Sequence, residues 1–121
     1  MDDISNAELF KYVHNFLSEI KNLVIREGLI ITDRVKNRDA LLELGLTARQ
    51  REEEILSLSV DDYCSGPHKD ENKPGQYWIF GKLIDGIEVY IKLKIAEQSG
   101  TEQAICFSFH KAEWTLNHPF K

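Results

Sequence analysis

No stretch of this chain approaches the ~20 consecutive apolar residues that a membrane helix needs, and cysteine is nearly absent, with only Cys64 and Cys106. Two thiols are too few for a disulfide scaffold, so the fold must rest on apolar packing. The opening segment, MDDISNAELF, is acidic and polar where a signal peptide is basic and apolar. The expectation is a cytoplasmic protein with no membrane partner. Positive charge is also short: 15 Lys and Arg against 20 Asp and Glu, a net charge of −5. The deficit is even, with 8 basic against 11 acidic residues up to residue 60 and 7 against 9 after it. A protein that lives by phosphate contacts normally carries a basic footprint, so a nucleic-acid function here must rest on a local cluster.

What remains is an ordinary globular composition, 42% hydrophobic and 29% charged over 121 residues. That is one domain's worth of chain, enough to bury roughly two-thirds of its unfolded surface around a single core. Residues 1–58 read as mainly helical. Leu9, Val13, Phe16, Leu17, Ile20, Leu23 and Val24 follow the three-or-four spacing of one helical face, with Ser5 or Asn6 as cap and Gly28 as stop. Phe10 falls off that stripe. Residues 29–32, short and β-branched, read as a brief strand or an extended link. Asn37 or Asp39 starts a second helix bearing Leu41, Leu42 and Leu44, which Gly45 ends. Thr47 opens a third, with Gln50 three residues on as a capping box and Ile55 and Leu56 on its inner face.

Residues 61–76 hold two of the three prolines and read as a loop. From 77 to 110 the period becomes two. Ile87, Val89, Ile91, Leu93 and Ile95 alternate with Glu88, Tyr90, Lys92 and Lys94, the pattern of a half-buried antiparallel strand. Asp85-Gly86 is a two-residue hairpin signal that makes 77–84 its partner. In the third strand, 104–110, Ile105, Phe107 and Phe109 face one way and Cys106, Ser108 and His110 the other. Residues 111–121 form a C-terminal tail, where Trp114 covers a sheet edge. The expected fold is α+β: N-terminal helices packed on one face of an antiparallel sheet of about three strands.

The face away from the helices then gathers Tyr90, Lys92 and Lys94 with Ser108 and His110. A phenol, ammonium groups and an imidazole meet the needs of RNA cleavage by the neighbouring 2′-hydroxyl: a base, an acid and a cation for the developing charge. No metal or other cofactor is called for; Cys64, His68, Cys106, His110 and His118 lack the spacing of a zinc site. Cys64 beside His68 offers a weaker, nucleophilic alternative. The register leaves Lys82 opposite Val89, on the apolar side, unless a bulge near Gly81 turns it outward or it snorkels at the edge.

Several segments carry a resemblance: residues 19–25, Gly28, the run ALLELGL at 40–46, residues 55–58, Asp62-Tyr63, Trp78, VYIK at 89–92 and Ser108-Phe109. Together, over about residues 19–111, they resemble the MqsR family of toxins of type II toxin–antitoxin systems, which share the compact RelE-like fold. The resemblance implies a ribosome-independent endoribonuclease that cuts mRNA and is silenced by a cognate antitoxin protein. It places the family tyrosine on Tyr90 and a lysine on Lys92. The family's glutamine position holds Ile79, a lysine position falls near Ser65, and the last lysine position holds His110, whose imidazole suits proton transfer. The candidate catalytic residues are therefore Tyr90, Lys92 and His110, with Lys82, Lys94, His68 and Lys69 as RNA contacts. Ile79 and the acidic balance fit a second reading, a non-catalytic protein-binding module on the same fold.

Overall fold

A computed structural model describes residues 4–121. Its chain runs α1 (Asn6–Glu27), β1 (Leu29–Ile31), α2 (Val35–Leu44), α3 (Ala48–Leu56), a 3-10 turn (Val60–Asp62), β2 (Tyr63–Lys69), β3 (Gln76–Ile84), β4 (Ile87–Gln98) and β5 (Thr101–Lys111). The α+β class and the three helices match the sequence reading. The sheet does not: it has five strands in the order β1-β5-β4-β3-β2, and β1 runs parallel to β5, so it is mixed rather than antiparallel. Among the described residues no helix is long and apolar enough to cross a membrane.

Local signals set the helix ends. The Ser5 hydroxyl accepts from the Glu8 N–H at 3.2 Å. The box at Thr47 is reciprocal, with Gln50 N donating to Thr47 Oγ1 at 3.1 Å and Thr47 N donating to Gln50 Oε1 at 2.9 Å. Gly45 ends α2 at φ 68°, a left-handed backbone that suits a residue without Cβ. The start of α2 differs from expectation. Arg34 is the residue before its first turn, and Asn37 lies inside the helix, 1% exposed.

The apolar stripe of α1 lies on the sheet. Phe16 stacks on Trp78 at 5.0 Å and on Phe80 at 6.1 Å between ring centroids. Phe80, Ile91, Leu93 and Phe109 are fully buried beneath the helices, each such side chain contributing roughly 1.5–3 kcal/mol. Ala40 and Leu44 of α2 and Ile55 of α3 complete one core. Phe10 is 46% exposed and meets Phe120 of the tail edge-on.

The stretch 61–76 is mostly not a loop. It holds the 3-10 turn and β2, which pairs with β3 through Tyr63↔Phe80, Ser65↔Ile79 and His68↔Tyr77. Two register shifts in seven residues erase the alternation that would have revealed the strand. Pro67, with no N–H to give, is tolerated because β2 is an edge. The β3–β4 hairpin runs in unbroken register from Tyr77↔Lys94 to Ile84↔Ile87. Its turn has φ 50° at Asp85 and 79° at Gly86, the two positive values that match strand twist.

The register of β5 slips by one residue between Lys92↔Ser108 and Leu93↔Cys106. Phe107 is the extra residue. The slip corrects the expected facing: Cys106 turns into the core and Ile105, opposite Lys94, turns to the face away from the helices. Ser108 and His110, beyond the bulge, keep the facing expected of them.

Candidate active site

The sheet face away from the helices brings together three of the predicted residues. Tyr90 pairs with His110 across β4 and β5, Lys92 pairs with Ser108, and all but the buried Ser108 are half-exposed. The His110 ring stacks on Tyr90 at 5.5 Å and 26°. Its Nδ1 lies 3.1 Å from the Lys111 carbonyl oxygen, which can only accept, so Nδ1 carries the proton and Nε2 is left open. The Lys92 ammonium stands 3.9 Å over the Tyr77 ring.

These groups line a recess of about 290 Å³ together with Arg34, Lys36, Glu113 and Trp114. Sequence reasoning missed Arg34. It sits in the link from β1 to α2, and the parallel pairing of β1 beside β5 carries it to Ser108, whose Oγ accepts from Nη1 at 3.4 Å. No local pattern marks it; only the three-residue parallel pairing does. Lys36, one residue into α2, is paired with Glu113 of the tail. The recess therefore gathers Arg34, Lys36 and Lys92 against the single carboxylate of Glu113. This is the local basic cluster that an acidic chain would need to hold a phosphate.

Burial, reinforced by the Arg34 charge and opposed by Asp70, lowers the pKa of Lys92 and makes its ammonium a stronger acid. Burial, with the neighbouring Tyr77 and Cys64, raises the Tyr90 phenol, which keeps its proton at neutral pH. Burial pushes the Cys64 thiol up to about 12. A raised pKa disfavours the thiolate, and the expected Cys64–His68 pair does not form: His68 bonds Ser65 Oγ at 2.9 Å, and the imidazole beside Cys64 is that of His118, its Nδ1 3.8 Å from Sγ. Among the described residues no three His, Cys, Asp or Glu side chains converge as metal ligands.

The predicted RNA contacts fare differently. Lys82 stays opposite Val89 with no bulge at Gly81, and its ammonium reaches along the helix side to Glu54 Oε2 at 2.8 Å and to the Ser57 hydroxyl. It snorkels away from the recess. Lys69 pairs with Gln76, one position out of phase with His68, and so belongs to the helix side as well. His68 lies on the open face, its ring 5.1 Å from Tyr77. Lys94 shares the facing of Lys92 but is 1% exposed, roofed by the turn at 70–75 and bonded to Asp70 Oδ2 at 2.7 Å. It is a structural pair, not a phosphate contact.

That pair has a pH signature. The Lys94 hydrogen bond, with the backbone N–H of Asn72, holds the Asp70 carboxyl down to about 2. A depressed carboxyl contributes stability above its unfolded range, and the contribution is lost as pH falls toward 2. Asp70→Asn should melt below wild type at neutral pH, and the gap should close between about pH 5 and pH 2. Lys94→Met should be milder, since it leaves the carboxylate free to turn to water while Asp70→Asn strands a buried cation. Thermal melts of the three proteins across that range check this; a gap that does not change with pH removes the pair from the acid response.

Comparison with known proteins gives no match: no family model, no curated protein and no solved structure is significantly similar to this chain.

Proposed function

We propose that this protein is a metal-independent endoribonuclease that cleaves mRNA by 2′-hydroxyl attack, acting as an MqsR-like, RelE-like toxin restrained by a cognate antitoxin. The observation that carries the reading is the recess itself: an imidazole with an open Nε2, a protonated phenol, and Arg34 and Lys92 side by side on the surface of an acidic protein. The scissile phosphate sits between Arg34 and Lys92. His110 Nε2 takes the 2′-hydroxyl proton as the 2′-oxygen bonds phosphorus. The bond to the 5′-oxygen breaks, and the Lys92 ammonium, made more acidic by burial, gives that oxygen its proton. The Tyr90 phenol donates to a phosphate oxygen as charge builds. The products are a 2′,3′-cyclic phosphate and a 5′-hydroxyl.

The test is digestion of a defined transcript by purified protein, with and without EDTA, followed by end-group analysis. Cyclic phosphate ends formed equally in both arms are the expected result, and induced expression in the native host should arrest growth until a neighbouring gene product is co-expressed. Cleavage abolished by EDTA would sink the mechanism. One observation favours the binding-module reading: Ile79, apolar and 7% exposed, stands opposite Lys92 where the resemblance places a glutamine. Soluble, folded protein that neither cuts RNA nor slows growth decides for that reading.

A further inference from the structure

The recess around His110 is not closed at its far end. Beyond Tyr90 the same face opens into a second cavity of about 470 Å³, bounded by His68, Tyr77, Ile79, Tyr90, Trp114 and Asn117 among others. Tyr90 and Trp114 belong to both cavities. The two rings meet edge to face at 5.9 Å, and the ammonium of Lys92, which lines the first cavity, stands 3.9 Å over the ring of Tyr77, which lines the second.

The outer wall of this second cavity is the tail, and the tail is held in place. Leu116 is buried over Gly81, where an added Cβ would collide with its Cδ1, so the absence of a side chain at this position of β3 is what lets the tail lie against it. The Leu116 N–H donates to Glu88 Oε1 at 2.6 Å, and the Ala112 N–H donates to the Glu88 carbonyl at 2.8 Å. Phe120 then packs 5.6 Å from Tyr63 on the helix side of the β2 edge. Anchored at both ends, the tail nevertheless leaves the Trp114 indole 62% exposed.

We propose that this second cavity is a nucleobase subsite, which seats the unpaired base next to the phosphate held by Arg34 and Lys92; the inference rests on the endoribonuclease reading. An apolar floor, aromatic walls and a few polar rim groups suit a small planar ligand. Unpaired RNA bases are held by stacking on aromatic side chains and read by hydrogen bonds to their edges. Ile79 is the floor, Trp114 the stacking wall, and His68 and Asn117 the groups that address the base edge. The position that the family resemblance would give to a polar residue, Ile79, thereby has a use: it is the dry surface under the base. Continuity with the cationic recess selects a base over other flat ligands, because the attached phosphate has its counter-charge one ring away.

The probe is a set of 2′-O-methyl oligoribonucleotide hexamers, one for each base, together with an abasic hexamer. None can be cut through the 2′-oxygen, so binding is read without cleavage. Because Trp78 is 7% exposed, quenching of tryptophan emission at low salt reports on Trp114. At least one base hexamer should quench the emission, and Trp114→Ala should weaken its binding ~5- to 100-fold by anisotropy, the size of one base–aromatic stack. Trp114→Phe should recover part of the loss, and the abasic hexamer should bind wild type and Trp114→Ala alike. Equal affinity of wild type and Trp114→Ala for every base hexamer, with Lys92→Ala still weakening all of them, would overturn the subsite and leave the cleavage reading standing. No binding of any hexamer by the wild type would overturn both.

Discussion

Replacing His110 with alanine should slow transcript cleavage by ~10²–10⁴-fold while transcript binding persists, the usual size of a general acid–base contribution. The expectation rests on placement. His110 is the imidazole of the recess, its Nδ1 lies against the Lys111 carbonyl, and its ring lines the cavity together with Arg34 and Lys92. The ring is half-exposed and outside the apolar core, so the variant should fold, with a stability change of about 0.5 kcal/mol or less. Added imidazole should restore part of the rate to His110→Ala, which a purely structural role would not allow. Tyr90→Phe keeps the stacked ring and removes only the hydroxyl, so its loss should be smaller. Lys92→Ala removes both a charge and a proton donor and should weaken binding as well as rate. Single-turnover cleavage measured beside filter binding separates these terms. Full activity of His110→Ala would take the imidazole out of the mechanism and return proton transfer to Tyr90 and the lysines.

The parts of this face that were legible in the sequence are those that depend on neighbours in the chain. Alternation through 87–95 needs only the pleat, the Asp85-Gly86 turn needs only two residues that accept positive φ, and the Thr47 box needs only its own first turn. From these alone Tyr90 and Lys92 fall on one face, and His110 joins them because it lies on the near side of the β5 bulge. The bulge itself left no local mark: one extra residue at Phe107 exchanged the facing of Ile105 and Cys106, and both side chains are apolar enough for either side. In β2 the alternation is broken twice, so seven residues that include a glycine and a proline read as loop. Lys94 was placed on the correct face, yet its burial comes from a turn some twenty residues earlier in the chain. Arg34 was illegible for the same reason, since its neighbour Ser108 is brought to it by a parallel pairing that no periodicity announces. Electrostatic sites of this kind are assembled by long-range register, and charge counted along the chain hides them.

Asn37 shows how the register is secured, and its replacement should be among the most damaging single changes in the molecule. Its side chain, 1% exposed, reaches from the third residue of α2 to the bulged stretch of β5. Nδ2 donates to the Phe107 carbonyl at 2.9 Å and to the Thr32 carbonyl at 3.0 Å, while Oδ1 accepts from the Phe109 N–H at 3.0 Å. β1 ends at Ile31 opposite Cys106, so β5 has no strand on that side beyond it, and a buried group without a partner is costly. One amide side chain, with two donors and an acceptor, satisfies all three. Asn37→Ala should therefore cost about 3 kcal/mol, three bonds at about 1 kcal/mol each, and lower Tm by roughly 10 °C. Asn37→Asp tests the chemistry rather than the volume. Its carboxylate would face two carbonyls, so the loss at neutral pH should be at least as large, and it should shrink in acid, where the protonated group can donate one bond again. The consequence reaches the recess, because Phe109 lies between Ser108 and His110. A displacement of about 1 Å there should reduce cleavage by up to ~10²-fold in whatever protein remains folded. Urea titration gives the stability term, and cleavage rates normalised to the folded fraction give the positional one. An Asn37→Ala protein that melts within about 2 °C of wild type would show that water satisfies these groups instead, and that Ser108 and His110 hold their place without help from α2.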